Sequence, residues 1–349
     1  EGGFFMSKSD VSKYQGENGV HRVPLWRIGG FALNNTATNF YLFMMNFVAY
    51  YLTGFVGVLV VTASSFSMFM RIWDGVTDPF IGYVVDKTNG KFGKNRPFMV
   101  IGNVILCVTS FILFHVTHLL PESTPIRFGF FIVVAALYYI GYTFQCVVTK
   151  SAQTCLTNDP KQRPLFSVFD AVYNTILFTV MAIVAAKLGA KYGSMSDTGV
   201  FHELWLLTAI CSAIFTVIAV ISIAPKDRTE FFGTGKVVRV GLKDYWDTLK
   251  NNRAIQMLIV SASTDKLATS AKTSTVTLVL FAVLAGNYSL QGSLTGIISF
   301  ISLPIMIVLI SSLATKLGQR KAMLIGSIGG IFVNLALILL WLIGDPTTM

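Results

Sequence analysis

Arg71, Asp74, Thr77 and Asp78 fall within eight consecutive positions of a stretch otherwise rich in apolar residues. Asp74 and Asp78 are four residues apart, so on a helix they share one face, with Arg71 three residues ahead of Asp74 on the same side. Two carboxylates one turn apart repel each other, and a small cation between them removes that repulsion. Pro79 cannot donate to the carbonyl of Gly75, which frees another oxygen one turn from both acids. Carboxylates, a freed carbonyl and the Thr77 hydroxyl are hard oxygen ligands that suit Na+, and a proton on one carboxylate is the alternative. A structural ion pair between Arg71 and Asp74 is the competing reading, and it leaves Asp78 unexplained.

The rest of the chain says where such a group must sit. Of 349 residues, 53% are hydrophobic and 13% charged, with a mean hydropathy of +0.64. Soluble chains carry about 25% charged residues. A bilayer core needs about 20 apolar residues of helix. No Asp, Glu, Lys or Arg occurs from Ile28 to Met70, a run of 43 residues, or across the 43 residues from Thr273 to Thr315, and each run has room for two spans. With the shorter charge-free runs between them, the pattern predicts nine spans: 26–53, 58–85, 97–118, 128–150, 164–187, 203–225, 254–285, 290–315 and 321–344. If the N-terminus is placed inside, 20 Lys and Arg lie in inner segments and 3 in outer ones. That bias puts the N-terminus in the cytoplasm and the protein in the plasma (inner) membrane. The net charge of +10 therefore reflects topology, which excludes nucleic acid as the partner.

The organisation predicted is a cytoplasmic segment 1–25, a six-helix half 26–225, a linker 226–253 and a second, incomplete half 254–349. Residues Lys243–Lys250 of the linker read as a short amphipathic helix on the membrane surface. The basic loops Asp86–Arg96 and Lys316–Lys321 echo each other six spans apart. Parallel six-helix repeats imply the major facilitator fold, with three of twelve spans beyond those seen. A nine-helix protein with two ordinary basic loops is the alternative. Residues Glu1–Phe5 precede Met6 and are set aside.

Other polar residues share the spans. On insertion scales a central charge costs roughly 2.5–3.5 kcal/mol, so eight ionisable side chains in spans must pair, meet water or bind an ion. Asn34 and Tyr41 share a face of the first span, Asn34 being equally readable as a packing bond between helices. Tyr142, Thr143, Gln145 and Lys150 lie in the inner half of the fourth, and Asp170 lies about two turns into the fifth. Lys150 and Asp170 are near enough to helix ends to snorkel. Asp265 and Lys272 share a face of the seventh span, while Lys266 points elsewhere, in a pattern that fits an ion-pair gate as well as solute contact. The four cysteines read as small buried hydrophobes, and His115, His118 and His202 read as interfacial, with no metal-ligand spacing. No phosphate loop, nucleophile elbow or zinc motif is present, so no enzyme and no organic cofactor is expected.

The run Arg71-Ile-Trp-Asp74-Gly-Val-Thr-Asp78-Pro79-Phe-Ile-Gly82, followed by Asp86-Lys-Thr and Gly93-Lys-Asn-Arg96-Pro97, resembles the signature of the glycoside–pentoside–hexuronide:cation symporters. These are melibiose permease-like carriers of the major facilitator fold. Leu156-Thr-Asn-Asp159, Arg163 and Asn252-Arg253 are similar to the family too. The resemblance implies that Asp74 and Asp78 form the cation site, with Thr143 completing it and Thr77 standing where the family often has Asn. It implies that Tyr41 lies near the solute. Asn34 and Cys146 stand where melibiose-type carriers have two sugar-binding carboxylates, Lys150 stands for a stacking Trp, and the position of those carriers' fifth-span Arg falls near Asp170–Ala171 here. Those departures argue against a galactoside and favour a neutral sugar held differently, or an anionic sugar such as a uronide. The expected function is Na+- or H+-coupled import of a sugar, glycoside or uronide by alternating access, with membrane lipids around a monomer. A Na+-coupled lysolipid carrier and a non-transporting membrane sensor are the alternatives.

Overall fold

In the computed structural model, the described residues are 21–88, 90, 92–194, 196–228, 247, 249–271 and 316–343. The chain divides into two compact units, 1–235 and 236–349. The first contains six long helices: α1 (Leu25–Met45), α2 (Val60–Lys87), α3 (Arg96–Phe111), α4 (Thr124–Ser151), α5 (Arg163–Tyr192) and α6 (Thr198–Ile223). They match the first six expected spans to within a few residues. In the second unit, α7 (Arg253–Ala271) and a final helix, Gln319–Ile343, fall on the seventh and ninth. The eighth expected span, the later part of the seventh, Lys272 and most of the Lys243–Lys250 segment lie outside the described residues.

Among the described residues, four helices are long and apolar enough to cross a membrane by themselves: α3 continued to Leu119, α4 continued to Leu156, α5 and α6. The first two helices miss that mark because of what they carry. In α1 these are Asn34, Asn35 and Asn39, and in α2 they are Arg71, Asp74, Thr77 and Asp78. Both depend on neighbours to cover polar groups, and their packing reflects this. Helix α1 runs through the centre of its unit, against α6, α5, α4 and α3, whereas α2 packs chiefly on α4. The outward face of α2 presents Met68, Phe69, Ile72, Val76, Phe80 and Val84, as a lipid-facing surface does.

Helix ends obey local chemistry. The first apolar run continues past Met45 through Val48–Tyr51 and a π-helical turn, Leu52–Val56, and stops at Gly57, whose φ of 77° suits glycine. The joint to α2 is therefore Gly57–Leu59, beside the break between the expected spans 26–53 and 58–85. Helix α3 continues through a π turn at Ile112–Val116 and a 3-10 turn at Thr117–Leu119. Pro125 and Pro164 open α4 and α5 where a missing N–H costs nothing, and Asp197 caps α6 by accepting from the Gly199 amide at 2.7 Å.

Two polar knots close the end of the unit where the described chain begins. His21 donates its amide to Asn158 at 2.8 Å, Val23 and Gln162 exchange two bonds, and Arg22 meets Asp159 at 2.5 Å. The Lys161 amide and Arg22 hold the Asp159 carboxyl below the usual carboxylate range. That contribution is complete at neutral pH and is lost as acid titrates the carboxyl. The second knot is Asp227, fully buried, which accepts from the amides of Lys94, Asn95 and Arg96, from Asn95 Nδ2 at 2.9 Å and from Arg96 Nε at 3.4 Å. It thereby satisfies the first amides of α3 from a residue more than 130 positions away. Gly93 sits beside it with φ of 91°, and a Cβ there would strike the carboxylate. Asp227→Ala is expected to lower the unfolding free energy by about 2–4 kcal/mol, because it strips several donors at once and unpairs Arg96. Thermal unfolding in detergent, read against Asp86→Ala at an exposed ion pair, measures the difference.

Candidate functional site

The candidate site begins where α2 meets α4. Trp73 donates its indole N–H to the Ala136 carbonyl at 3.1 Å, which pins α2 against α4 one residue before Asp74. The Thr143 hydroxyl then donates to Asp74 Oδ1 at 2.9 Å and lies close to the Asp78 carboxylate. Thr143 is buried, Asp74 half-buried and Asp78 exposed, so the pair grades from protein interior toward the open face of α2. Thr77 donates to the carbonyls of Trp73 and Asp74 in its own helix, both at 3.1 Å, and keeps its lone pairs. The structure thus brings Asp74, Asp78 and Thr143 close together at the α2–α4 contact. Arg71 belongs to α2, but its side chain lies outside what is described.

One turn along α4 the environment is still polar. Cys146 is in hydrogen-bond contact with Tyr142 and feels the charges of Asp74, Asp78 and Lys150. Lys150 is exposed and faces Asp170 of α5 across a gap, and Asn35 of α1 lies close to the same carboxylate. The Oδ1 atom of Asp170 is buried without a partner. Just along the same two helices, Asn39 donates to Asn174 at 2.8 Å. Asn35, Asn39, Asp170, Asn174 and Lys150 therefore form a half-buried to exposed polar patch from three helices.

Three expected solute contacts sit elsewhere. Asn34 is fully buried and donates to Thr149 at 2.9 Å, tying α1 to α4. Tyr41 is fully buried, with its hydroxyl directed toward Cys107 and Ser212 on α3 and α6. Gln145 is buried and donates to the Met99 carbonyl at 2.6 Å. Asn34 and Gln145 thus link helices inside the unit, which for Asn34 is the packing reading. Sequence reasoning passed over Asn35 and Asn39 on α1 and Asn174 on α5. Their signal was available, because Asn35/Asn39 and Asp170/Asn174 are both i,i+4 pairs, each sharing a helix face. In the second unit, Asp265 is exposed on α7; the Lys266 side chain and all of Lys272 lie outside the described residues.

A sequence model of a family described as MFS/sugar transport protein matches residues 30–349. The chain is similar to the glucuronide carrier protein homolog of Escherichia coli (strain K12), at 26% identity over 87% of this chain and 65% of the relative. It is similar to the isoprimeverose transporter of Lactiplantibacillus pentosus, at 24% over 91% of this chain and 65% of the relative. The inner membrane symporter YicJ of Escherichia coli (strain K12) is 26% identical over 55% of this chain and 39% of its own length. The chain thus spans just under two thirds of the first two relatives.

The Thr143–Asp74 bond yields a direct expectation for cation affinity. On the reading that Asp74 and Asp78 hold Na+, the Thr143 hydroxyl oxygen turned to the ion is worth about 1.5–3 kcal/mol as a contact to a charged group, so Thr143→Val is expected to weaken Na+ binding by roughly 10- to 100-fold. Thr143→Ser, which keeps the hydroxyl, is expected to stay within a few-fold of the parent. Titration of purified protein with Na+, followed by intrinsic fluorescence, separates the two variants.

Proposed function

The chain belongs to the family of MFS/sugar transport proteins, and from that premise we propose that it is a cation-coupled symporter importing a sugar, glycoside or uronide by alternating access. The observation that carries the reading is the meeting of Asp74, Asp78 and Thr143 at the α2–α4 contact. Two unit charges about 5 Å apart at an effective dielectric of 20 repel by about 3 kcal/mol. A Na+ bridging the two carboxylates, or a proton on one of them, cancels that term. The ion and the α2–α4 geometry therefore depend on each other. In this reading Asp74, Asp78 and Thr143 supply the coupling ion's oxygens, and Thr77 adds a hydroxyl lone pair.

The solute contacts we assign are Lys150, Asp170, Asn35, Asn39 and Asn174, beside Tyr142 and Cys146. Amide and carboxylate groups match the hydroxyls of a sugar ring, and Lys150 matches a carboxylate if the sugar carries one. Such a polar patch supports a sugar over a lysolipid, whose chain needs an apolar groove. The printed names of the relatives, a glucuronide carrier homolog and an isoprimeverose transporter, support the same class. The N-terminus is placed on the cytoplasmic side of the plasma membrane, so the Asp159 and Asp227 knots close the cytoplasmic end.

Uptake into vesicles reconstituted with the full chain tests this directly, with hexosides, pentosides and uronides offered under separate Na+ and pH gradients. Asp78→Asn is expected to fold and to lose gradient-driven accumulation at least tenfold. Unchanged accumulation in that variant overturns the coupling assignment. Lys150→Ala is expected to raise KM for a uronide more than for the neutral glycoside of the same ring, and an equal effect on both removes Lys150 from carboxylate recognition.

A further inference from the structure

At the end of the first unit opposite Asp227, two histidines from different helices face each other. His115 Nε2 lies 3.1 Å from His202 Nδ1, joining the π turn after α3 to the first turns of α6. The other nitrogen of His115, Nδ1, lies 3.2 Å from the Phe111 carbonyl. A carbonyl only accepts, so His115 Nδ1 carries the proton, which leaves Nε2 with its lone pair directed at His202. The ring is held in place: Phe111 stacks on it at 4.6 Å and Trp205 meets its face edge-on at 5.4 Å. Trp205 is itself fixed by an N–H bond to Ser110 at 3.1 Å.

We propose that His115 and His202 form a binding site for a divalent transition metal ion, with Zn2+, Cu2+ and Ni2+ as the class of ligand. Three features of the geometry support this. Imidazole nitrogens bound to one ion at about 2.0–2.1 Å stand roughly 2.9 Å apart at a right angle and 3.3 Å apart at a tetrahedral one. The 3.1 Å separation falls between those values. The N–H of His115 given to a backbone carbonyl is the outer bond that orients metal-ligating histidines and fixes their tautomer. Imidazole also suits these three metals over Mg2+ or Ca2+. Binding is balanced without a net proton: the His202 proton moves from Nδ1 to Nε2, and the metal takes the two lone pairs that then face it. Among the described residues no third His, Cys, Asp or Glu joins the pair, so water completes the coordination. His118 and Glu203 lie close enough to act electrostatically on the two rings, and Glu203 is engaged by Lys191 at 2.5 Å and Tyr192 at 2.6 Å. The bound ion would clamp α3 to α6 at this end.

The test uses the full chain with any histidine tag removed. Saturating ZnCl2 is expected to raise the thermal unfolding midpoint of the parent by about 3 °C or more, as a ligand selective for the folded state does. His115→Gln and His202→Ala are each expected to abolish the shift, and His118→Ala to keep it. Cu2+ added to the parent is expected to give a paramagnetic resonance spectrum with two equatorial nitrogens, and His202→Ala to reduce it to one. If His115→Gln does not fold, His202→Ala alone decides, because that ring is exposed. An unshifted parent midpoint, or the same shift in His202→Ala, overturns the site and leaves a plain hydrogen-bonded pair. Neither result touches the Asp74–Asp78 reading.

Discussion

Charge placed in hydrocarbon must be answered by opposite charge, by polar partners or by water, and the first unit is arranged around that constraint. Helix α2 carries more ionisable side chains than a span can hold alone, and the chain answers with α4. Trp73 sets the approach and Thr143 supplies a hydroxyl to Asp74. Helix α1 solves the same problem differently. Its three asparagines are distributed over two faces: Asn34 is turned inward to Thr149, while Asn35 and Asn39 meet Asp170 and Asn174. A central position, surrounded by four helices, is what lets so polar a segment stay in place.

How much of this was legible in the sequence depends on the range of the interaction. Charge-free runs set the first six helices to within a few residues, because hydrophobic length is a property of the segment itself. The carboxylate pair was equally readable, since i,i+4 spacing on one helix fixes a shared face. Asn34 shows where the reading weakens. A residue and its neighbour differ by 100° around the helix, and nothing local in the sequence says which faces the polar patch. In the structure Asn34 turns to Thr149, and Asn35 lies on the side of Asp170. Gln145 likewise meets the Met99 carbonyl of α3, far away in the chain. The His115–His202 contact and the Asp227 knot span 87 and more than 130 positions, and no spacing rule reaches that far.

The two ends of the unit are held by different chemistry. At the Asp227 end one buried carboxylate gathers several backbone and side-chain donors, and the N-terminal segment is clasped by Asn158, Asp159 and Gln162. At the other end the core is aromatic: Tyr51, Phe114, Phe131 and Phe201 interlock, with Phe114 and Phe201 stacked at 5.1 Å. The first kind of joint is directional and fails when one group is removed. The second is broad and tolerant of small shifts, since dispersion contacts depend little on orientation.

That contrast bears on how an ion could do work here. Helix α2 leans chiefly on α4, so apolar packing holds it less firmly than it holds α1. On the proposed reading, the missing cohesion is electrostatic and conditional. With the ion absent, two like charges sit at the main contact α2 makes in its unit, that with α4; with it present, the same carboxylates draw Thr143 and the ion into one cluster. An ion can shift a conformational equilibrium only by its differential affinity for the two states. A helix whose docking depends on the ion supplies that difference, whereas a helix locked by packing on every side would bind the ion and transmit nothing. The weakness of the α2 packing is then part of the coupling device, and strengthening it with apolar contacts would be expected to cost coupling before it cost stability.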